Sequence, residues 1–136
     1  MIEFNFETEF QLNNKEGLQK WISEIITSEG FEVGEILYIF CDDDYLHKLN
    51  VEFLDHDTLT DILSFDYKMG NQINGEIYIS VERVVDNAKD FKTDFFDELH
   101  RVMIHGILHF CGYKDETDSE EIEMRNKENE ALKLLK

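Results

Sequence analysis

Proline is absent from this 136-residue chain, cysteine occurs only twice, and acidic residues outnumber basic ones by 31 to 13. Cys41 and Cys111 are too few for a disulfide framework. The opening residues, Met1 to Glu7, contain no basic stretch leading into an apolar one, and no apolar run reaches the length of a membrane span. A cytoplasmic protein with no membrane partner is therefore expected. The formal net charge of −18 argues against general electrostatic attraction to nucleic acid, DNA included, or to an anionic membrane. It leaves room for a local basic groove or a metal ion at a binding surface. The lack of proline carries no mechanistic reading.

The hydrophobic fraction of 42% and the aromatic fraction of 12% suffice for a packed core, which excludes disorder. The length predicts a single domain over residues 1–136, large enough to bury that core without staples.

Ile2, Phe4, Phe6 and Phe10 alternate with Glu3, Asn5, Glu7 and Glu9, the period of a half-buried strand at a sheet edge. Asn13 or Asn14 is placed to cap a helix carrying Leu18, Trp21, Ile22 and Ile25, which Glu29-Gly30 ends. Glu35 to Cys41 is apolar on both faces, as in a central strand. A short helix is predicted from Asp42 with Tyr45, Leu46 and Leu49, then a polar loop from Asn50 to Thr60. Asp61 to Tyr67 reads as a third strand, and Glu76 to Ser80 as a fourth, joined as a hairpin by a turn with Gly70-Asn71 and Asn74-Gly75. Ser80 can cap a helix on which Val81, Val84, Val85 and Ala88 share a face. A central helix runs from about Asp94 to Cys111 with Phe95, Leu99, Val102, Gly106 and Phe110 turned to the core. Thr117 and Glu120 form a capping box for a last helix. The expected architecture is α+β: a small mixed four-stranded sheet packed with about five helices.

The chemistry concentrates at His105 and His109. Four residues apart on a helix, they present both imidazoles on one face, one turn apart. Gly112 then stops the helix, and Asp115 lies where a turn can return its carboxylate to the two rings. Three protein ligands leave a coordination position open, the arrangement of a catalytic rather than a structural zinc site. The plain alternative is a buried helix with one satisfied histidine and a solvent-facing partner.

The spacing resembles the zincin pattern, in which a glutamate after the first histidine is the general base. Here that position is Gly106, which cannot take a proton and which costs about 1 kcal/mol in mid-helix. Close approach of another backbone or of substrate is expected to compensate. Glu98 and Arg101 project near the histidine stripe, and Glu98 is placed to accept a hydrogen bond from a metal-bound imidazole, although a solvated helix face explains both equally well. His100 falls off the stripe and is read as structural; His47 and His56 receive no role. Cys111 is a soft donor beside the site, but its place at the end of an apolar helix favours packing. The acidic run after Asp115 fits a solvated helix start.

His105-Gly-Ile-Leu-His-Phe-Cys-Gly-Tyr-Lys-Asp115 resembles the YbeY family signature His-Gly-x-Leu-His-Leu-x-Gly-Tyr-Asp-His. Leu59-Thr-Asp-Ile-Leu-Ser-Phe65 is similar to that family's Pro-Thr-Asp-Val-Leu-Ser-Phe, and Gly75 to Ser80 to its Gly-Asp-Ile-x-Ile-Ser. Asn50 and Phe53 match its Asn-x-x-Tyr. The resemblance implies a zinc-dependent endoribonuclease specific for single-stranded RNA. Such an enzyme acts in maturation of the 3′ end of small-subunit ribosomal RNA and in ribosome quality control, with the small subunit or its proteins as partners. It implies His105, His109 and Asp115 as metal ligands, and a cleft in which Thr60, Asp61 and Ser64 take part unless they serve only as strand-end caps.

Two departures matter. Asp115 stands where the family has its third histidine and Lys114 where it has an aspartate; an oxygen donor is harder than imidazole and tolerates other divalent metals. Leu54 stands where the family usually has an arginine; if that arginine holds phosphate, this chain must use another cation, with Arg101, Lys114 and Lys68 as candidates that the sequence does not place, or bind RNA more weakly. No general base is identifiable. A non-catalytic ribosome-associated metal-binding module and, less favoured, a zincin-like metalloprotease are the other readings.

Overall fold

Alternating apolar and polar residues lay down the sheet, and helical stripes cover it. The computed structural model describes residues 1–56 and 60–135. Its strands are β1 (Ile2–Phe6), β2 (Glu32–Cys41), β3 (Ile62–Asp66) and β4 (Gln72–Ser80). Its helices are α1 (Lys15–Ser28), α2 (Asp43–Leu54), α3 (Val81–Asp90), α4 (Phe95–Phe110) and α5 (Asp118–Leu135). The sheet order is β1-β2-β4-β3; β1, β2 and β4 run parallel, and β3 pairs antiparallel with β4. This is the expected α+β arrangement, a four-stranded mixed sheet with five helices among the described residues.

One sheet face carries Ile36, Tyr38 and Phe40 of β2 with Ile73, Ile77 and Ile79 of β4, packed with α1 and α4 in a single apolar cluster. Within it, Leu99, Met103, Ile104 and Ile107 of α4 are fully buried, each contributing about 1.5–3 kcal/mol by leaving water. Tyr38 keeps its hydroxyl satisfied by donating to the Met103 carbonyl at 2.9 Å. The other face holds a smaller cluster of Cys41, Leu46 and Leu63 under α2.

Several expected boundaries move. β1 ends at Phe6, and Phe10 leaves the strand to pack among Phe6, Phe40 and Phe95. The predicted loop from Asn50 onwards is helical to Leu54, because buried Asn50 lies on the inner side of α2, where polarity alone misleads. The remainder of that loop includes Asp57, Thr58 and Leu59, which lie outside the described residues. β4 begins at Gln72, so Asn74-Gly75 is strand rather than turn. Gln72 and Ile73 pair with Glu32 and Val33 of β2, and a register shift follows between Val33 and Ile36. Gly75 is required there by its neighbour: a Cβ would lie 2.6 Å from the Phe110 ring. Asn14 precedes α1 as its cap residue but with φ of 60° and no side-chain cap bond. Asp94, Ser80 and the Thr117–Glu120 box cap their helices by side-chain hydrogen bonds.

Candidate metal centre

Helix α4 ends in a reverse turn that builds the site. Gly112 adopts φ of 105°; its N–H donates to the His109 carbonyl and that of Tyr113 to the Leu108 carbonyl, both at 3.0 Å. This closing pattern needs a left-handed residue, which only glycine supplies without strain. The turn is pinned to α1 by the Tyr113 hydroxyl, which donates to Glu29 at 2.6 Å. From there the chain carries Asp115 back over α4.

His105, His109 and Asp115 meet. The two Nε2 atoms are 2.9 Å apart, and Asp115 Oδ2 lies 3.3 Å from that of His105 and 3.4 Å from that of His109. Among the described residues these three form a group whose ligand atoms all lie within 4.8 Å of one another. The far side of each ring decides what these atoms are. His105 Nδ1 is 2.7 Å from Glu128 Oε2, and His109 Nδ1 is 3.0 Å from the Tyr113 carbonyl oxygen. Both partners are pure acceptors, so both Nδ1 atoms carry hydrogen, an assignment made from the hydrogen-bond partners. In neutral rings both Nε2 atoms then present bare lone pairs to each other and to a carboxylate. Three electron-pair donors converge with no donor hydrogen between them, an arrangement that calls for a cation. Two nitrogens and one oxygen suit zinc and other borderline divalent ions.

The surroundings are strongly anionic. Burial works to lower the His105 pKa, but its hydrogen bond to Glu128 and the charges of Glu128, Asp115 and Asp61 outweigh it and leave the pKa raised. Burial works to raise the Glu128 pKa, but His105 and Arg101 hold it below the ordinary carboxylate value. Burial raises Asp61, despite hydrogen bonds from its own backbone and from Asn87 at 3.2 Å.

The predicted neighbours are partly redistributed. Glu98 is buried but does not orient His105; that role falls to Glu128, far along the chain on α5. The glutamate was missed because helix phase finds neighbours on one helix, whereas the helix packed beside α4 supplies this one. Its signal was a charge in register with apolar Met124 and Ala131. Arg101 is spent on α5, bonding Glu128 at 2.9 Å and Asn129 at 2.8 Å. Lys68 lies over the Phe31 ring, and Lys114 is exposed beside Asp115. Arg125, not singled out from the sequence, also lines the clefts: its side chain is 56% exposed and faces two cavities flanking His105 and Asp115, one of which Arg101 lines as well. A further cavity of about 490 Å³ brings Thr60, Asp61, Ser64 and Asp66 along β3 to His105, His109 and Asp115.

His100 packs against Trp21 and Phe96, a structural place. Cys111 is half-buried against the core with its thiol pushed up to about 11 by burial, so it stays a protonated packing residue. The close approach expected at Gly106 is made by side chains of the sheet rather than by another backbone: a Cβ would meet Ile77 Cδ1 at 3.0 Å and Ile62 Cδ1 at 3.2 Å, so the glycine lets α4 settle on the sheet.

Comparison with known proteins places the whole chain. The family model described as Endoribonuclease YbeY matches residues 3–136. A curated protein of that name from Flavobacterium johnsoniae is 60% identical over 99% of this chain and 97% of its own length. One from Christiangramia forsetii is 54% identical over 98% of this chain and 94% of its own. A solution structure from Thermotoga maritima is similar at a TM-score of 0.72 and 33% identity, covering 99% of this chain and 89% of that one. The chain belongs to the YbeY family.

Proposed function

We propose that this chain is a metal-dependent endoribonuclease of ribosomal RNA maturation that cuts single-stranded RNA at His105, His109 and Asp115. The observation that carries the reading is the convergence of two bare Nε2 lone pairs and one carboxylate, 2.9 to 3.4 Å apart, at the mouth of a cavity. Zinc is the ion best matched to this set, and it supplies Lewis-acid polarisation of a phosphate and acidification of water when bound. The protein's own parts do the rest. Glu128 and the Tyr113 carbonyl hold the two rings in register. The cavity beside β3, with Thr60, Asp61 and Ser64, takes the RNA strand, and Arg125 meets its phosphate, standing in for the arginine missing at Leu54. A ribonuclease acting on ribosomal RNA works in the cytoplasm with the small ribosomal subunit or its proteins as partners, and residues 1–136 act as one domain. Among the described residues no helix is long and apolar enough to cross a membrane.

Cleavage of a single-stranded RNA by the purified protein, lost with a chelator and restored by zinc, is the expected result. Metal-loaded protein that binds ribosomal RNA or ribosomes without cutting would overturn it in favour of a non-catalytic module, the reading that Leu54 keeps in view. A metalloprotease is disfavoured: position 106 is buried against Ile77 and Ile62, with no room for a glutamate base.

A further inference from the structure

Helix α5 docks through residues spaced four and three apart: Met124, Glu128 and Ala131, at 2%, 4% and 2% exposure. The Trp21 indole closes the seam by donating to the Ala131 carbonyl at 2.7 Å. An apolar side chain would serve packing at the middle position, since a buried ion pair is a poor source of stability compared with a hydrophobic residue of similar volume. The chain instead buries a carboxylate and surrounds it with partners. Arg101 Nη1 sits 2.9 Å from Oε1, Arg125 Nη1 is 3.6 Å from the same oxygen, and Oε2 is 2.7 Å from His105 Nδ1. That last contact places the ring hydrogen on Nδ1 and leaves Nε2 as the lone pair turned towards His109 and Asp115.

We propose that Glu128 is the positioning residue of the metal centre, and that through its hydrogen bond to His105 metal binding and docking of α5 stabilise one another. It rests on the reading of His105, His109 and Asp115 as metal ligands. With a cation held at Nε2, His105 Nδ1–H would be a stronger donor to Glu128, and the Glu128 carboxylate would in turn make Nε2 a better ligand. The coupling is reciprocal by thermodynamic necessity: whatever α5 contributes to metal affinity, the metal returns to α5. Arg101 acts through Glu128, keeping its carboxylate charged and aimed.

The experiment measures zinc affinity by chelator competition for the wild type, Glu128→Gln and Glu128→Leu, with His109→Ala as the site-less control. Glu128→Leu keeps the packing seam and removes the acceptor, and its affinity is expected to fall about 10–100-fold. Glu128→Gln keeps an acceptor without charge and falls between the two. Ring nitrogen chemical shifts should show a single Nδ1–H tautomer at His105 in the wild type and both tautomers in Glu128→Leu. Zinc should slow amide exchange across residues 118–135 in the wild type and leave it unchanged in Glu128→Leu at saturating metal. If Glu128→Leu fails to fold, Glu128→Gln carries the same readouts. Wild-type affinity in a folded Glu128 variant, or α5 exchange indifferent to zinc in the loaded wild type, overturns the proposal while sparing the metal centre. No zinc uptake by the wild type would overturn both.

Discussion

The Nε2 atoms of His105 and His109 face each other at 2.9 Å, each ring having its Nδ1 turned to an acceptor. Two lone pairs at that distance repel unless something positive lies between them or a proton sits on one of them. Purified wild type should therefore carry about one zinc per chain, as counted by elemental mass spectrometry, in keeping with a three-ligand site. His109→Ala should lose the metal and retain the fold by circular dichroism, and Asp115→Ala should lose most of it. Full RNA cleavage by metal-free His109→Ala would sink the assignment.

Arg125 should hold phosphate. It is more exposed than Arg101, whose guanidinium is occupied by Glu128 and Asn129. Arg125→Ala is expected to raise KM for single-stranded RNA several-fold, with a smaller effect on kcat; because Arg125 Nη1 also lies 3.6 Å from Glu128 Oε1, zinc content is measured alongside so that KM is compared at equal metal loading. The slope of log affinity against log salt should shrink by about one. An unaltered salt slope would assign the contact to another cation.

Gly106→Ala tests the close approach of α4 to the sheet. Alanine gains about 1 kcal/mol of helix propensity over glycine. Against this, its Cβ would stand 3.0 Å from Ile77 and 3.2 Å from Ile62, and overpacking typically costs about 1–3 kcal/mol. Ile77 is fully buried and has nowhere to retreat, so the net expectation is a loss of about 1 kcal/mol, read as a lower urea midpoint. Adding Ile62→Val, at the half-buried neighbour, should recover part of it. A more stable Gly106→Ala would mean that the two isoleucines give way freely.

Asp61 is expected to make stability depend on pH. Burial raises its pKa, so the folded state favours the protonated carboxyl more than the unfolded chain does. The stability it lends is present below its unfolded value and is lost as pH rises through the folded one. Asp61→Asn, which is neutral throughout, should thus be more stable than the wild type at pH 7. The advantage should vanish as pH falls below about 4, the ordinary aspartate range. Thermal melts of the two proteins across that range decide it; a constant difference would place the cause elsewhere.

Local pattern determined a good deal of this molecule. The four-residue step from His105 to His109, the glycine at 112 and the aspartate at 115 are short-range features, and helix geometry with one left-handed turn suffices to bring them together. Strand alternation and the capping residues Ser80 and Thr117 likewise act over a few residues, so the elements and the α+β class were legible.

What only the tertiary structure decided are partners chosen by packing. The parallel pairing of Gln72 and Ile73 with β2 extended β4 through Asn74-Gly75, where turn chemistry alone predicts a break. The cost of Gly106 was met by Ile77 and Ile62 from the sheet, which no helix pattern could indicate. Glu128 displaced Glu98 as the partner of His105 because α5 lies against α4, and Arg125 joined the cleft by the same docking. Periodicity specifies which face a side chain occupies on its own helix; which neighbour that face meets depends on how whole elements bury their apolar surface together.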